Sequence, residues 1–150
     1  MNNFNNSTLT DTTLQPHLWD GSDPVRKELS PEFKSANGRM VLGLQMDDGS
    51  FSAFLCLAFT SAVPKTVEDL SELSSDAQEI AVPYSVWSTK RGAGRKIVEM
   101  VASYVSEETK AKRLVTLSPN TYMAERFHLN NGAIEVGRSD SFVNFEYTIQ

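Results

Sequence analysis

The stretch that most clearly carries chemistry is a glycine turn flanked by basic residues. The letters Arg-Gly-Ala-Gly at 91–94 follow an apolar run that ends at Trp87, and they open an amphipathic segment. Glycines let a backbone approach a ligand closely, and the amides at a helix N-terminus carry partial positive charge. Four cations stand within seven positions here: Lys90, Arg91, Arg95 and Lys96. The turn therefore suits a phosphate group, and an ordinary strand-to-helix turn with a solvated basic start is the alternative.

The elements that must position this turn follow from hydrophobic patterning. Asp48-Gly49 between the apolar runs 40–46 and 51–59 predicts a β-hairpin. Cys56 lies in the second run and is expected to be a core residue rather than a nucleophile. The pattern also predicts a short strand at 14–19, a short helix from Ser30-Pro31 to 37–38, a helix opened by Pro64, a strand at 79–87, a helix at 94–105, a strand at 114–117, a helix from Ser118-Pro119 to 131–132, and a closing strand pair at 133–136 and 142–149.

This order of elements predicts a mixed α/β (α+β) domain with a mostly antiparallel sheet of about six to seven strands and helices on both faces. Residues 1–13 contain four Asn and almost no apolar side chain, so we expect a flexible N-terminal arm. Residues 14–150 are expected to form a single domain. Pro83 removes a backbone donor from its strand, so we expect a bulge or a splay from the neighbouring strand there.

Composition narrows the class of protein. The chain has 150 residues, 40% hydrophobic and 22% charged, with 14 basic and 19 acidic residues and a net charge of −5. An acidic balance argues against a general nucleic-acid binder. No apolar run reaches the roughly 20 residues of a membrane span, and the N-terminus lacks the apolar core of a signal peptide. One cysteine and two histidines argue against a disulfide and a metal site. We expect a cytoplasmic protein.

The glycine turn resembles a motif of the GNAT superfamily of acyl-CoA-dependent N-acetyltransferases. Their pyrophosphate loop reads Gln/Arg-x-x-Gly-x-Gly/Ala, and its glycines fall here on Gly92 and Gly94, with Thr89 in the Gln/Arg position. In the family the pantetheine arm lies where the fourth and fifth strands splay. The resemblance implies acetyl-CoA as co-substrate and no metal. Arg91 would supply the positive charge that Thr89 lacks in the Gln/Arg position. The cofactor-binding residues that the resemblance implies are Val86, Trp87, Thr89, Arg91, Gly92, Ala93, Gly94, Arg95 and Thr121.

A second stretch is similar to the helix that follows in the family. Residues 121–133 keep the Ala, the large apolar residue and the Gly of Asn-x-x-Ala-x-x-Leu-Tyr-x-x-x-Gly-Phe, with Thr121 in the Asn position and His128 in the Tyr position. In many family members that Tyr protonates the departing thiolate. A histidine with an ordinary pKa near 6.5 suits the same step. The alternative is a packed histidine at a helix C-terminus, where the dipole favours its charged form.

Two motifs also resemble the GNAT-fold catalytic domain of malonyl-CoA decarboxylases. The stretch Thr-Leu-Ser-Pro at 116–119 and the stretch Phe-His-Leu-Asn-Asn-Gly-Ala at 127–133 imply catalytic roles for Ser118 and His128. Phage-encoded acetyltransferase-like proteins carry similar motifs. This likeness implies that the protein acts in the cytoplasm of a host cell. The alternative for Ser118 is a helix N-cap with Pro119 at the first helical position. If one helix joins Ser118 and His128, its rise holds them about 15 Å apart, too far for a hydrogen bond.

Three functions stay open on this basis. The first is an N-acetyltransferase that acts on an amine, with Asp76 or Glu79 as the available base. The alternative for each of these two residues is a solvated carboxylate at the end of a strand. An acidic surface favours a cationic acceptor such as a polyamine or a Lys-bearing peptide. The second is malonyl-CoA decarboxylation. The third is a catalytically lapsed protein that binds a host or partner protein, and a homodimer is consistent with the family.

Overall fold

A mixed sheet runs through the computed structural model, which describes residues 4–149. Its strands are β1 (Thr8–Asp11), β2 (Arg39–Gln45), β3 (Phe51–Thr60), β4 (Ile80–Ser88), β5 (Arg113–Val115), β6 (Ser118–Pro119), β7 (Ile134–Arg138) and β8 (Phe142–Tyr147). The helices are α1 (Pro31–Lys34), α2 (Val67–Leu73), α3 (Ala93–Glu108) and α4 (Tyr122–Asn130), with a 3₁₀ turn at Pro16–Leu18.

The sheet order is β1-β2-β3-β4-β5-β8, with β6 and β7 also paired to β8. Each of these pairs is antiparallel except β4 and β5. The predicted fold class is thus confirmed, with eight strands in the described residues rather than six to seven. The parallel pair is short and joins only Ile80 to Arg113 and Ala81 to Leu114.

The predicted irregularity at Pro83 is confirmed. On β3, Leu57 faces Pro83 while its neighbour Cys56 faces Ser85, which leaves Tyr84 as the extra residue of a β-bulge. A bulge bends its strand and increases the local twist. Beyond this point β4 stays paired with β3 but parts from β5, and the Leu117 amide still donates to the Pro83 carbonyl at 3.1 Å.

The predicted helix start at Ser118-Pro119 is wrong. These two residues form β6 and face Val143 and Phe142 on β8. The register continues that of β5, so residues 113–119 run along β8 as one interrupted strand. The pairing overrides the local capping signal, and the N-cap of α4 is Thr121, whose Oγ1 accepts from the Ala124 amide at 3.2 Å.

Two expectations near the N-terminus also change. Residues 8–11 form β1 and pair with residues 42–45 of β2. The flexible arm predicted for residues 1–13 therefore includes a strand of the sheet. Residues 1–3 of that predicted arm lie outside the described residues. Leu9 packs against the core and supplies the apolar contact. The strand expected at 14–19 is instead a loop with a 3₁₀ turn, because the indole of buried Trp19 donates back to the Thr12 carbonyl at 2.8 Å.

Each sheet face carries its own core. One face packs against the stripe Ile97, Val98, Val101 and Val105 of α3. The other face holds Cys56 with Trp19 and Leu70, and burial raises the pKa of the Cys56 thiol, as expected of a core residue. None of the helices over 4–149 is both long and apolar enough to cross a bilayer.

A buried ion pair fastens the segment before α1 onto the sheet. Asp23 and Lys34 are 5% and 4% exposed and their charged atoms lie 2.9 Å apart. Asp23 Oδ1 also accepts from Ser85 Oγ on β4 at 2.7 Å. The carboxylate therefore ties a loop and α1 to the strand at the bulge.

Lys34→Met tests this attachment. Removing one partner leaves a buried carboxylate without its cation, which typically costs about 3–5 kcal/mol. We expect that loss in the free energy of unfolding measured in urea, against a change within about 0.5 kcal/mol for Lys27→Met, an exposed lysine of the same segment. Equal values for the two variants would contradict the role given to Asp23.

Candidate functional site

A cavity of about 580 Å³ opens where β4 parts from β5. It runs from the start of α3, past β4 and α4, to the loop before α1. Its lining residues are Pro24, Val25, Pro83, Tyr84, Ser85, Val86, Trp87, Ser88, Gly94, Leu117, Ser118, Pro119, Thr121, Met123, Ala124, Phe127 and His128.

The glycine turn forms one end of the cavity. Gly92 is the N-cap of α3 and has a left-handed φ of 86°, a conformation that side chains disfavour. The Ala93 amide is already used by the Lys90 carbonyl at 3.1 Å, and Gly94 lines the cavity. The ring of Phe4 lies 3.3 Å from where a Gly92 Cβ would stand, so this glycine also makes room for the N-terminal segment.

None of the four basic residues of the turn is among the residues that line the cavity. Arg91 and Arg95 are exposed, and Arg95 lies 3.7 Å from Glu99 in a solvated pair one helical turn away. The amide of Thr89 donates to the Ser52 carbonyl of β3 at 2.9 Å and is therefore part of the sheet. Of the predicted cofactor residues in the turn, Gly94 is the one that lines the cavity.

Val86 and Trp87 lie on the part of β4 that faces the gap. They pair with Leu55 and Phe54 on β3, whereas β5 pairs with β4 only at residues 80 and 81. At Val86 and Trp87 the opposite backbone edge of β4 thus has no partner strand within residues 4–149. An extended ligand with amide groups could pair with that edge as a strand does.

His128 lies in an aromatic enclosure within the cavity wall. It is 6% exposed, and its ring stacks on Phe145 with centroids 5.2 Å apart. Its Nδ1 lies 2.7 Å from the hydroxyl of Tyr147. Burial lowers the pKa of His128 to about 4 and raises the pKa of Tyr147 to about 12.

These shifts define the protonation state of the pair. At neutral pH both groups are uncharged. When the Tyr147 hydroxyl donates to Nδ1, the neutral imidazole carries its own proton on Nε2. The pKa near 6.5 expected from sequence is therefore wrong for the folded protein, because burial outweighs the helix C-terminus. His128 can donate a hydrogen bond from Nε2 but is not an imidazolium acid.

Ser118 lines the same cavity as His128, although no hydrogen bond joins them in the described residues. Ser118 Oγ donates to Thr116 Oγ1 at 2.8 Å. The separation of about 15 Å inferred from one continuous helix does not apply, since α4 begins only at Tyr122. Both residues of the decarboxylase-like motifs thus face one space.

The predicted base residues lie elsewhere. Glu79 is exposed and precedes β4, and its carbonyl accepts from the Lys112 amide at 3.0 Å. Ser85 lies six positions further along the chain, about 20 Å of extended strand. Asp76 accepts from the Asn37 amide group in a separate cleft. No Asp or Glu is among the residues that line the cavity, and residues 4–149 contain no group of three or more potential metal ligands.

Sequence reasoning missed the wall contributed by the loop before α1. Pro24 and Val25 line the cavity because Asp23 is tied to Ser85, 62 positions along the chain. A local pattern cannot reveal such a contact. The Asp-Pro pair at 23–24 does indicate a turn, and the Asp23 carboxylate accepts from the Val25 amide at 2.8 Å.

Several solved structures share this fold. The GNAT domain of S. lividans PAT aligns over 94% of this chain and 89% of its own, with 14% identity and a TM-score of 0.60. Campylobacter jejuni N-acetyltransferase PseH, in complex with acetyl coenzyme A, aligns over 94% and 97%, with 10% identity and a TM-score of 0.64. Malonyl-CoA decarboxylase from Cupriavidus metallidurans aligns over 95% of this chain and 61% of its own, with 14% identity and a TM-score of 0.66.

The chain therefore has the GNAT fold, as the resemblance implied. Identities of 10 to 14% show the fold alone. Comparison of the sequence itself finds no match to a family model and none to a curated protein.

The protonation state of His128 predicts a pH dependence of stability. In the unfolded chain His128 takes up a proton near pH 6.5, while the folded protein resists protonation until about pH 4. The unfolded state thus binds more protons as the pH falls from 6.5 to 4, and about 3 kcal/mol of unfolding free energy is lost over that range. We expect this loss, relative to His128→Gln, in urea unfolding between pH 7 and 4.

A direct measurement accompanies it. The Cε1 proton of His128, followed by NMR and assigned by its absence in His128→Gln, should titrate with a midpoint near pH 4. A midpoint near 6.5 for His128 would contradict the neutral imidazole described above.

Proposed function

We propose that this chain is an acyl-CoA-dependent N-acetyltransferase that moves an acetyl group from acetyl-CoA to an amine. The observation that carries the proposal is the cavity between β4 and β5, which joins a glycine turn at a helix N-terminus to an unpaired strand edge. Acetyl-CoA has matching parts in the same order, because its pyrophosphate would lie at the glycine turn and its extended, amide-bearing arm would lie along the strand edge. We place this activity in the cytoplasm, that of the host if a phage encodes the chain.

Each group has a proposed task. The amides of Gly92 and Gly94 hold the pyrophosphate, supported by the positive end of α3 and by Arg91 and Arg95. The backbone of Val86 and Trp87 pairs with the pantetheine arm. His128 donates from Nε2 toward the thioester oxygen, where a hydrogen bond stabilises the negative charge that develops as the neutral amine attacks the carbonyl carbon. The C–N bond then replaces the C–S bond, CoA leaves as the thiolate, and the proton lost by the amine nitrogen passes to that sulfur.

The lining also bears on the acceptor. An alkylammonium ion must lose a proton before it can attack, and the cavity offers no carboxylate to take it. The net acidic surface favours a cationic acceptor, but the site itself favours an amine that is already neutral. We therefore propose an amine of low basicity, such as an arylamine or an α-amino group, over a polyamine.

Titration calorimetry with acetyl-CoA tests the cofactor site. We expect a dissociation constant on the order of 10 μM for the wild type, within the range usual for enzyme substrates. Arg95→Glu should weaken binding about tenfold, more at low salt, because it puts a negative charge at the start of α3. Lys112→Glu makes the same change at an exposed site near the opposite end of β4 and should leave the affinity unchanged.

The absence of heat at millimolar acetyl-CoA would remove this proposal. Where binding is present, release of free CoA thiol is followed with a panel of arylamines, α-amino compounds and polyamines. Turnover with the first two classes supports acetyl transfer. Binding without turnover across the panel supports the lapsed protein that contacts a partner.

Decarboxylation of malonyl-CoA is the second candidate. Ser118 and His128 stand in the motifs similar to malonyl-CoA decarboxylases, and both line the cavity. In this reaction the bond between the carboxylate carbon and the α-carbon breaks, CO₂ leaves, and the electron pair forms an enolate at the thioester. A neutral Nε2–H donor stabilises that oxygen, and protonation of the α-carbon gives acetyl-CoA. The step requires no base.

Incubation with malonyl-CoA separates the two reactions. Under the second candidate, acetyl-CoA accumulates with the wild type, and Ser118→Ala lowers the rate by about 100-fold or more. Ser141→Ala, at an exposed serine between β7 and β8, serves as the matched control and should keep the wild-type rate. Failure of the wild type to form acetyl-CoA, while it acetylates an amine, would leave the first proposal alone.

A further inference from the structure

The vertex of the gap between β4 and β5 contains a buried arginine. Arg26 lies in the loop before α1 and is 4% exposed. Its Nε donates to the Tyr84 carbonyl at 3.0 Å and its Nη2 donates to the Leu117 carbonyl at 2.9 Å. One guanidinium thus joins two segments at the point where their backbone pairing ends with the hydrogen bond from the Leu117 amide to the Pro83 carbonyl.

The two acceptors lie where the sheet is irregular. Tyr84 is the extra residue of the β4 bulge, and Leu117 lies in the interruption between β5 and β6. Both residues line the cavity, whereas Arg26 is not among its lining residues. Arg26 therefore acts on the cavity walls from behind, without access to a ligand.

Burial of this cation is costly, and the surroundings compensate for it. Its charged group lies over the ring of Phe142 on β8, with Cζ 5.4 Å from the centroid, and Asp23 Oδ1 accepts from its backbone amide at 3.1 Å. A planar guanidinium presents its donors in a fixed geometry, which a flexible lysine does not. The residue type matches the task of holding two carbonyls at one separation.

We propose that Arg26 is the positioning residue that sets the width of the acyl-CoA gap. Its bridge fixes Tyr84 of β4 relative to Leu117 on the opposite wall, and so it fixes the space in which the pantetheine arm and the thioester are to lie. This inference rests on the proposed acyl-CoA site. Without the bridge the two carbonyls turn to water or the walls approach each other, and either change misplaces the arm.

Arg26→Met removes both donors and keeps most of the side-chain volume. We expect acetyl-CoA to bind about tenfold more weakly, since small displacements of a positioning wall have effects of this size or larger. Arg26→Lys, which keeps a charged donor, should recover affinity to within about threefold of wild type. We also expect hydrogen exchange to show faster exchange of the Leu117 amide in Arg26→Met, because loss of the bridge loosens its bond to the Pro83 carbonyl, and partial recovery of its protection in Arg26→Lys.

Arg39→Met is the matched control. Arg39 also donates to a carbonyl, that of Phe33 at 2.6 Å, and lies over an aromatic ring at 4.1 Å, but it lines a different cleft and is not among the residues that line the cavity. We expect this variant to lower the melting temperature while acetyl-CoA affinity stays within about twofold of wild type. Calorimetry is done at a temperature where circular dichroism shows each variant folded, and Arg26→Gln replaces Arg26→Met if the latter does not fold.

The outcomes separate the two proposals. Two results would overturn the role of Arg26 and leave the acyl-CoA site intact. In the first, the wild type binds acetyl-CoA and Arg26→Met binds it with the same affinity. In the second, Arg26→Met and Arg39→Met lose affinity equally. No binding by the wild type removes the acyl-CoA site, and the inference with it. A loss confined to Arg26→Met and recovered by Arg26→Lys supports both.

Discussion

The divergence of β4 from β5 is the constraint on which the site depends. Pro83 lacks a backbone donor, the adjacent bulge adds Tyr84, and the parallel pair ends after Ala81. A regular sheet would have satisfied both strand edges and left no room between them. Here one edge of β4 stays open along Val86 and Trp87, and the helix that follows starts at the end of that edge. The cavity is therefore a product of the sheet's own irregularity, with helices α3 and α4 as its outer walls.

Burial sets the chemistry of this cavity more than formal charge does. The chain carries −5, yet no acidic side chain lines the cavity, and its one histidine is neutral at physiological pH. Tyr147 keeps its proton because it is buried, and its hydroxyl lies 2.7 Å from Nδ1 of His128. The site thus offers uncharged hydrogen-bond donors in an apolar setting. Such donors stabilise a developing negative charge well because they are fixed before the reaction begins.

Local signals predicted much of this arrangement. The glycine turn and the start of α3, the hairpin of β2 and β3, and the bulge at Pro83 each depend on residues close in sequence. Ser118-Pro119 shows where local signals fail, since pairing with β8 competes with a good capping pattern and prevails. The wall formed by Pro24 and Val25 depends on contacts across more than 60 positions, and polar β1 gains its order only from pairing with β2. The pKa of His128 likewise depends on Phe145 and Tyr147, which patterning cannot bring beside it.

The two candidate reactions share the fold, the cofactor and the donor at His128, and they differ in one requirement. Acetyl transfer to an amine releases a proton that a base or water must accept, whereas loss of CO₂ from malonyl-CoA consumes a proton at carbon. Decarboxylation needs no base and takes its proton from water, so a cavity without a lining carboxylate suits it, whereas the same cavity suits acetyl transfer only for an amine that arrives neutral. The buried carboxylate of Asp23 is paired with Lys34 and accepts from Ser85, so its oxygens are already engaged within the fold. The basicity of the acceptor amine is therefore the property that decides between these two uses of one GNAT-fold site.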